Sequence, residues 1–442
     1  MSSPGKVTPL SGFPEYLPAG RIVEQHVLAV VQATFERHGF ASVETRAVEP
    51  IDRLSNQGED ADKEIYAVSR LGGTGGDEAR LGLHFDLTVP FARYVLENAG
   101  RLQFPFRRYQ IQKAWRGERP QEGRYREFTQ ADIDVVDVGS LPFHYEVEIP
   151  LVVAEVFQQL PVGPFRIQVN NRKVAEGFYR GLGLDDVVSV LRIVDKLDKV
   201  GPGAVVSMLT GAGVGADQAA ACVELAGIAG GVEAIERVRA LGVDHPVLDE
   251  GLSELTAVLA AAEEHAPGVL VADFRVARGL DYYTGTVYET QLVGRESYGA
   301  VCSGGRYDAL ASDGRTTYPG VGMSIGVSRL MGWLLANGVT ASRSTPTCVL
   351  VALGEEADRA GAMRTAAALR ARGIATEVAP AAAKFGRQIR FADRRGIPFV
   401  WFRGATPDGG DQVKDIRSGE QVDADALTWR PPDVDLRPSL VS

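Results

Sequence analysis

Two strand-like stretches joined by a short arginine-rich loop constrain the fold of this 442-residue chain more than any other feature. The loop and its flanks read WRGERPQEGRYREFTQ over residues 115–130, and an alternating run follows over residues 132–136. Alternation of polar and apolar residues is typical of a half-buried strand, and two such stretches around a turn indicate a hairpin. Because a guanidinium is a planar, permanently charged set of donors, the segment predicts a hairpin that binds phosphate or carboxylate. A solvated hairpin with surface charge is the alternative.

The composition excludes several classes of protein. The chain is 45% hydrophobic and 24% charged, which is ordinary for a globular protein. It has no apolar run of roughly 18 residues and no signal-peptide core, so we expect a cytoplasmic protein without membrane attachment. The three cysteines and six histidines are scattered and lack metal-ligand spacing. We therefore expect neither disulfides nor a protein-bound structural metal.

Two basic segments stand out against the formal net charge of −10. Residues 101–126 contain eight lysines and arginines but two acids, and residues 384–395 contain five bases and one acid. Net charge alone does not decide nucleic-acid binding, because the shape of the field matters more than the total. This distribution favours a bulky anionic ligand that touches two separate places on the protein.

The pattern of apolar residues predicts the local structure of several segments. Residues 20–38 have helical spacing, residues 40–48 alternate like a strand that stops at Pro50, and residues 79–85 resemble a strand followed by a helix with Thr88 at its N-cap. Residues 174–267 are rich in Ala, Leu and Val and predict helices. Within them, the loop 211–216 resembles a dinucleotide-binding loop, which would require a preceding strand.

Beyond a linker-like stretch at 342–346, the pattern predicts a small α/β domain with a mixed sheet. We expect strands at 348–352, 374–378 and 398–402 and helices at 355–372 and 384–395.

Several segments, in order, resemble the histidyl-tRNA synthetases, a family of class II aminoacyl-tRNA synthetases. Residues 115–130 resemble motif 2, residues 320–330 (GVGMSIGVSRL) resemble motif 3, and the helix and strand before Pro50 resemble motif 1, which builds the family's dimer interface. Residues 278–289 (RGLDYYTGTVYE) and 302–308 (CSGGRYD) resemble its two histidine signatures. Residues 385–393 and 413–421 resemble parts of an anticodon-binding domain.

The resemblance implies a mixed α/β fold: a class II antiparallel sheet with flanking helices, a helical insertion and a C-terminal α/β anticodon-binding domain. The implied parts are a catalytic core over 1–173 and 268–342, the insertion over 174–267 and the anticodon-binding domain over 346–442. The implied reaction joins L-histidine to histidine tRNA through a histidyl-adenylate, uses ATP with Mg²⁺ and occurs in a cytoplasmic homodimer.

The resemblance also implies roles for individual residues. Arg116, Arg278 and Arg329 would be catalytic through their contacts with phosphate and carboxylate groups. The ATP-binding residues would be Arg116, Glu118, Arg124, Tyr125 and Arg329. The histidine-binding residues would be Asp86, Thr88, Gln130, Asp134, Arg278, Tyr282, Tyr283 and Tyr307. The tRNA-binding residues would be Arg119, Gln121, Arg387 and Arg390.

The N-terminal stretch 9–18 departs from the family pattern. It lacks the Gly-Thr-x-Asp opening of much of the family, so the resemblance does not define the N-terminal contacts.

The alternative function is that of a non-catalytic regulatory paralogue of an ATP phosphoribosyltransferase, which uses the same core. Such subunits lack the anticodon-binding domain and often lose catalytic arginines. This chain retains Arg116, Arg278 and Arg329 and the C-terminal segment that resembles the domain.

Overall fold

The computed structural model describes residues 8–55, 64–70, 80–276 and 283–442. The chain forms two compact units. The first contains Val27–Trp333 together with the residues up to Pro14, and the second contains Leu334–Ser442 together with Glu15–His26. Helices at Pro18–Arg37 and Val327–Ala336 contribute residues to both units. No helix in the described ranges is long and apolar enough to cross a bilayer.

The first unit contains twelve described strands, and the helices that accompany them are numbered with it. The strands are β1 (Ala41–Ser42), β2 (Val48–Pro50), β3 (Ala67–Val68), β4 (Leu81–Leu83), β5 (Phe106–Trp115), β6 (Glu127–Val136), β7 (Phe165–Asn171), β8 (Ala229–Gly230), β9 (Leu270–Asp273), β10 (Thr286–Leu292), β11 (Cys302–Tyr307) and β12 (Gly320–Gly326). The helices are α1 (Pro18–Arg37), α2 (Ile51–Leu54), α3 (Thr88–Asn98), α4 (His144–Gln158), α5 (Arg172–Gly181), α6 (Val187–Val194), α7 (Leu197–Val200), α8 (Pro202–Gly211), α9 (Ala216–Ala226), α10 (Glu233–Arg239), α11 (Pro246–His265) and α12 (Val327–Ala336).

A nine-stranded sheet forms the centre of the first unit. Its strand order is β1-β5-β6-β12-β11-β10-β7-β9-β8. The six strands from β5 to β7 in this order are antiparallel to their neighbours, whereas β1 is parallel to β5 and β9 is parallel to β7. Strands β5 and β6 pair along their full lengths around the loop 116–126. The predicted hairpin and the predicted antiparallel sheet are therefore confirmed.

The predicted strand at 40–48 is wrong, because the chain forms two short strands there. The first, β1, joins the large sheet, while β2 joins β4 and β3 in a separate three-stranded sheet. Between them, the backbone N–H of Val43 still donates to the carbonyl of Tyr109 at 2.9 Å. The carbonyl of Thr45, however, accepts from the side chain of Gln112 at 2.9 Å. A side chain thus replaces the next backbone partner and ends the ladder.

Helix α3 begins differently from the prediction. Thr88 is its first helical residue and not its N-cap, and Leu87 at the N-cap position makes no side-chain capping bond. The cap is instead Asp86, whose Oδ1 accepts from the N–H of Val89 at 3.1 Å. A carboxylate suits this position because it meets both an unpaired amide and the positive end of the helix dipole.

The segment between β7 and β9 is helical, as predicted. Helices α5 and α11, at its two ends, pack closely on each other. A Cβ added to Gly177 on α5 would lie only 2.2 Å from the backbone nitrogen of Leu248 on α11. The loop 211–216 follows helix α8 and not a strand. Since a dinucleotide-binding loop needs a strand before it, that alternative is excluded.

The second unit contains a mixed five-stranded sheet, which confirms the predicted α/β architecture. The strand order is β15 (Thr376–Val378), β14 (Val349–Val351), β16 (Phe399–Phe402), β17 (Asp411–Asp415) and β18 (Gln421–Ala424). Strand β14 is parallel to β15 and β16, and the remaining pairs are antiparallel. The hairpin β17–β18 was not among the predicted strands. The other strands are β13 (Thr340–Ala341) and β19 (Leu440–Val441), and the helices are α13 (Arg359–Ala371) and α14 (Phe385–Arg394).

Candidate active site

Strands β5, β6 and β12 of the large sheet have a polar side and an apolar side around Asp134. Residues directly opposite each other in antiparallel strands share a face. Arg108 and Gly322 lie on either side of Asp134, and Ser324 lies opposite Asp132. We call this polar surface of β5, β6, β11 and β12 the polar floor. The apolar face of the same strands carries Tyr109, Ile133, Val135, Val321, Met323 and Ile325, all buried.

Glycines make room for the side chains that lie on the polar floor. A Cβ on Gly322 would lie only 2.1 Å from Oδ1 of Asp134, and a Cβ on Gly305 would lie 2.8 Å from a ring carbon of Tyr283. Glycine is required at these positions because a carboxylate and an aromatic ring occupy the space above the backbone. The glycines of the second histidine signature and of motif 3 thus have a steric function in the pocket.

A cleft of about 500 Å³ lies over the polar floor, and we refer to it as the cleft. Its walls come from the hairpin loop, from β10 to β12 and from the start of α12. Gln130 and Tyr283, both predicted to bind histidine, also line it. All the residues predicted to bind ATP line this cleft: Arg116, Glu118, Arg124, Tyr125 and Arg329.

Arg116 is held at the base of the hairpin loop. Its Nε donates to the carbonyl of Phe85 at 3.0 Å, and its guanidinium lies 5.1 Å from the ring centre of Phe128. One N–H edge is thereby used by the protein and the ring supports one face of the group. The geometry fixes the direction of this cation before a ligand arrives, which lowers the entropy cost of binding.

Arg329 is held by an aromatic residue that sequence reasoning missed. Its guanidinium lies 5.0 Å from the ring centre of Tyr298 and donates to that residue's carbonyl, while the Tyr298 hydroxyl donates to the Arg329 carbonyl at 2.8 Å. Burial raises the pKa of Tyr298 to about 12, so the phenol stays a neutral donor. Tyr298 therefore orients Arg329 towards the cleft.

The two other charged residues of the loop face each other. Glu118 and Arg124 are 3.4 Å apart, and both are partly exposed in the cleft wall. An exposed pair at this distance is weak, so a ligand can replace either partner at little cost. Both side chains are therefore positioned for contact with a nucleotide.

A smaller cavity of about 20 Å³, which we call the deep pocket, continues from the cleft. It shares Tyr283 and Ser324 with the cleft and is lined on its inner side by Thr88 and Tyr307. In this conformation it has room for a group the size of one water molecule. A larger ligand would therefore enter the deep pocket only if the lining side chains move apart, with the rest of the ligand in the cleft.

Asp134 forms one wall of the deep pocket and is held on both oxygens. Oδ2 pairs with Nη2 of Arg108 at 2.7 Å, and Oδ1 accepts from the hydroxyl of Tyr307 at 2.8 Å. The Arg108 side chain is fully buried, and its guanidinium lies 4.0 Å from the ring centre of Phe91. Burial raises the pKa of Asp134 to about 6, although Arg108 and the Tyr307 hydroxyl oppose the rise.

Asp86 and Thr88 are close in sequence, but they differ in their position relative to the cleft and the deep pocket. Thr88 lines the deep pocket, whereas Asp86 does not belong to the described lining of either cavity. Burial raises the pKa of Asp86, while the N–H of Val89 and the charge of Arg116 oppose this. Arg278 and Tyr282, predicted catalytic and histidine-binding residues, lie outside the described residues.

Comparison with known proteins identifies the family. Residues 12–330 match the family model described as histidyl-tRNA synthetase. The chain is 56% identical over 450 residues to the histidine–tRNA ligase of Cutibacterium acnes, covering 99% of both chains. It is 58% identical over 448 residues to that of Micrococcus luteus, covering 98% of both. The chain belongs to the histidyl-tRNA synthetase family.

The fold agrees with this membership in the histidyl-tRNA synthetase family. The crystal structure of histidyl-tRNA synthetase from Nostoc sp. PCC 7120 superposes with a TM-score of 0.85 at 32% identity, covering 96% of this chain and 98% of that chain. Residues 347–426 match the model described as anticodon binding domain. The predicted family, enzyme class and class II fold are thereby confirmed.

The residues predicted to bind tRNA lie on exposed surfaces of two different units. Arg119 and Gln121 are exposed at the hairpin loop, and Gln121 lines a second cavity of about 660 Å³ next to the cleft. Arg387 and Arg390 are exposed on α14 of the second unit. Their helix is anchored by the buried amide of Gln388, which bonds to the backbone of Leu353 in both directions, at 2.9 and 2.8 Å.

Several bases counted in the two basic segments have structural partners instead. Arg107 pairs with Glu148 and donates to the carbonyl of His38 at 2.7 Å, while Arg395 makes paired bonds to Glu377 at 2.6 and 2.8 Å. Arg108 is buried against Asp134. The first segment therefore does not form one continuous cationic surface, because the strand alternation turns some of its arginines inward.

The N-terminal stretch reaches the hairpin despite its unusual sequence. The carbonyl of Gly12 accepts from the N–H groups of Arg126 and Glu127 at 2.7 and 3.1 Å. Phe13 packs edge-on against Tyr66 with ring centres 6.5 Å apart. These contacts brace the end of the motif 2 loop without the Gly-Thr-x-Asp sequence.

Proposed function

We propose that this chain activates L-histidine with ATP to form histidyl-adenylate and pyrophosphate, and then transfers histidine to the 3′ end of histidine tRNA. The observation that carries the proposal is the continuity of the cleft with the deep pocket. Three arginines, Arg116, Arg124 and Arg329, line the cleft, and the buried carboxylate of Asp134 lines the pocket at its inner end. This order matches a substrate with an anionic end and an imidazole end.

The first step joins two anions. A carboxylate oxygen of histidine attacks the α-phosphorus of ATP, the bond to the bridging oxygen breaks, and pyrophosphate leaves with the electron pair. No side-chain nucleophile is needed, so catalysis consists of alignment and neutralisation of charge. In our proposal Arg116 contacts the α-phosphate and the carboxylate, Arg278 contacts them from the opposite side, and Arg329 binds the terminal phosphates.

The adenosine part of ATP is proposed to lie along the hairpin loop. Glu118 would accept a hydrogen bond from the exocyclic amine of adenine, Arg124 would reach a phosphate, and the Tyr125 ring would pack near the base. The weak pairing of Glu118 with Arg124 supports this, since both partners can turn to a ligand.

Mg²⁺ is proposed to arrive as the complex with ATP. Among the described residues there is no group of three or more carboxylate, thiol or imidazole side chains suited to hold a metal. Mg²⁺ commonly binds substrate phosphates and water with only one or two protein ligands, so such a group is not required.

Histidine is proposed to place its imidazole at the deep pocket. Asp134 would accept a ring N–H, and the hydrogen bond from Tyr307 together with the charge of Arg108 keeps that acceptor in place. Tyr282 and Tyr283 would enclose the ring. Asp86, Thr88 and Gln130 would bind the α-ammonium group. A buried site that hydrogen-bonds a polar side chain can reject analogues lacking it by about 10⁴-fold or more.

We propose that tRNA spans both units. Arg119 and Gln121 on the hairpin loop would meet the acceptor end, and Arg387 and Arg390 would meet the anticodon stem-loop. The match of residues 347–426 to an anticodon-binding domain supports the second contact. Replacing both Arg387 and Arg390 by Ala should lower the rate of tRNA charging while leaving histidine-dependent pyrophosphate exchange unchanged. Equal loss in both assays would place the damage in the active site instead.

The proposed assembly is a cytoplasmic homodimer formed through the motif 1 region. The domains are proposed to be 1–173 and 268–342 for the catalytic core, 174–267 for the insertion and 346–442 for anticodon binding. Light scattering at micromolar concentration should give twice the chain mass of 47.4 kDa. A monomer at that concentration would contradict the assembly but not the reaction.

The regulatory alternative rests on fold alone. The structure of an ATP phosphoribosyltransferase regulatory subunit/histidyl-tRNA synthetase from Bacillus halodurans C superposes with a TM-score of 0.72 at 19% identity and covers 85% of this chain. The presence of Arg116 and Arg329 in the cleft and of a second unit matching an anticodon-binding domain favours the ligase.

ATP–pyrophosphate exchange with each of the twenty amino acids tests the proposed reaction. We expect exchange with histidine alone, and a severe loss of that exchange in a folded Arg278→Ala variant. Exchange with none of the amino acids would refute the proposal and would call for a binding assay with a phosphoribosyltransferase catalytic subunit. Unchanged exchange in the variant would remove Arg278 alone from the mechanism.

A further inference from the structure

Asp132, which the proposed reaction does not use, is a second carboxylate at the deep pocket. It precedes Asp134 by two residues on β6 and therefore lies on the same face of the sheet. Its relative exposure is 2%, and it lines the deep pocket. Sequence reasoning included it in the alternating run but gave it no function.

The surroundings of this carboxylate hold few donors. Ser324 lies opposite Asp132 on β12 and helps to lower its pKa, while its Oγ accepts from Nε2 of Gln130 at 2.6 Å. Oδ1 is buried and has no hydrogen-bond partner among the described residues. A buried acceptor without a donor costs free energy, more so when it is charged. A ligand that supplies a donor at this position recovers that cost.

The charges around the deep pocket define what kind of donor fits. Arg108 lies 2.7 Å from Asp134 and so compensates that carboxylate. Asp132 has no ion pair of its own among the described residues, and Asp86 adds a further negative charge nearby. Burial raises the pKa of Asp132 to about 7, with the charge of Asp134 contributing to the rise and that of Arg108 opposing it. Asp134, which is paired with Arg108, therefore suits a neutral N–H donor. Asp132, which has no such pair, suits a cationic donor.

We propose that Asp132 binds the α-ammonium group of L-histidine, with Oδ1 accepting one of its N–H bonds. Asp134 then remains the acceptor for the neutral imidazole, so each carboxylate recognises a different nitrogen of the substrate. Gln130, next but one on the same strand, donates to Ser324, which lies opposite Asp132, and completes this wall. The inference rests on the proposed function and names a recognition residue that the proposed set did not contain.

The variant Asp132→Asn tests this assignment by removing the charge with little change in shape. We expect the KM for histidine in pyrophosphate exchange to rise about 10- to 100-fold, as for loss of a hydrogen bond to a charged group. The inhibition constant of imidazolepropanoate, which has the ring and carboxylate of histidine but no ammonium, should stay within a few-fold. The KM for ATP should also be unchanged.

A matched control is Asp137→Asn, which alters an aspartate just beyond the same strand that accepts from the N–H of Val138 at 2.8 Å. It should behave as the unmodified protein. Equal weakening of histidine and imidazolepropanoate in Asp132→Asn would overturn the assignment and make Asp132 a support for the imidazole site. Unchanged histidine affinity would also overturn it. Absence of exchange in the unmodified protein would refute the proposed function itself, so the two failures are distinguishable.

Discussion

The hydrogen bond from Tyr307 to Asp134 gives a prediction that can be worked through in numbers. Tyr307 is 2% exposed and donates to Oδ1 at 2.8 Å. The bond stabilises the ionised carboxylate, and a hydrogen bond to a charged group contributes about 1.5–3 kcal/mol. Since 1.36 kcal/mol corresponds to one pH unit, Tyr307→Phe should move the ionisation of Asp134 to higher pH by about one to two units.

The direction of the effect follows from the state of the carboxylate. The pKa of Asp134 is already raised to about 6 by burial, so the ionised acceptor predominates only above that pH. In Tyr307→Phe the pKa rises further, and a larger fraction of the enzyme is protonated at pH 7. We expect kcat/KM for histidine to fall by about two- to tenfold at pH 7 and to recover as the pH increases.

The assay is histidine-dependent pyrophosphate exchange between pH 5.5 and 9. Tyr318→Phe is the matched control, because Tyr318 belongs to the same buried cluster as Tyr307 and no hydrogen bond of its hydroxyl occurs among the described residues. Free histidine itself titrates in this range, so the quantity that decides is the difference between the two variants. If the two pH profiles superimpose, the Tyr307 bond does not tune Asp134 and the reasoning is refuted.

Two glycine substitutions test the packing. In Gly322→Ala the new methyl group would lie 2.1 Å from Oδ1 of Asp134, so the KM for histidine should rise by about tenfold or more. Gly100→Ala is the control and should leave this KM unchanged, because a Cβ at Gly100 meets nothing within 4 Å. Unaltered kinetics of a folded Gly322→Ala would show that the carboxylate can move freely. Gly177→Ala would place a methyl group 2.2 Å from the backbone nitrogen of Leu248, so the free energy of unfolding should fall by about 1–3 kcal/mol. Urea denaturation measures this loss, with Gly100→Ala as the control. A difference below about 0.5 kcal/mol would mean that the two helices separate easily.

The sequence predicted what depends on local pattern. The alternation around residues 115–130 and the order of the motifs were sufficient for the hairpin, the sheet and the family. The ATP-binding set was brought together in the cleft because its members stand on one loop and at one helix start. Their roles stay predictions.

What the sequence did not predict depends on register and tertiary packing. Arg108 becomes a partner of Asp134 only because β5 and β6 pair without a bulge, and counting outward from the loop could have revealed it. Asp132 was overlooked because its position on a strand does not show whether neighbouring strands supply a hydrogen-bond donor to its carboxylate. Tyr298 stands 31 residues before Arg329, and no local pattern signals their contact. The break in the strand at 40–48 similarly depends on a glutamine from β5.

The strand order of the large sheet has a consequence for synthesis on the ribosome. Strand β6 has β5 on one side and β12 on the other, and β12 begins at Gly320. While the nascent chain grows from residue 136 to residue 320, the second edge of β6 has no native neighbour. An uncovered edge invites pairing with other chains, and charged residues on such an edge oppose it. Asp132 and Asp134 place two carboxylates on that strand, so residues that line the mature pocket also make the immature edge less suited to pairing.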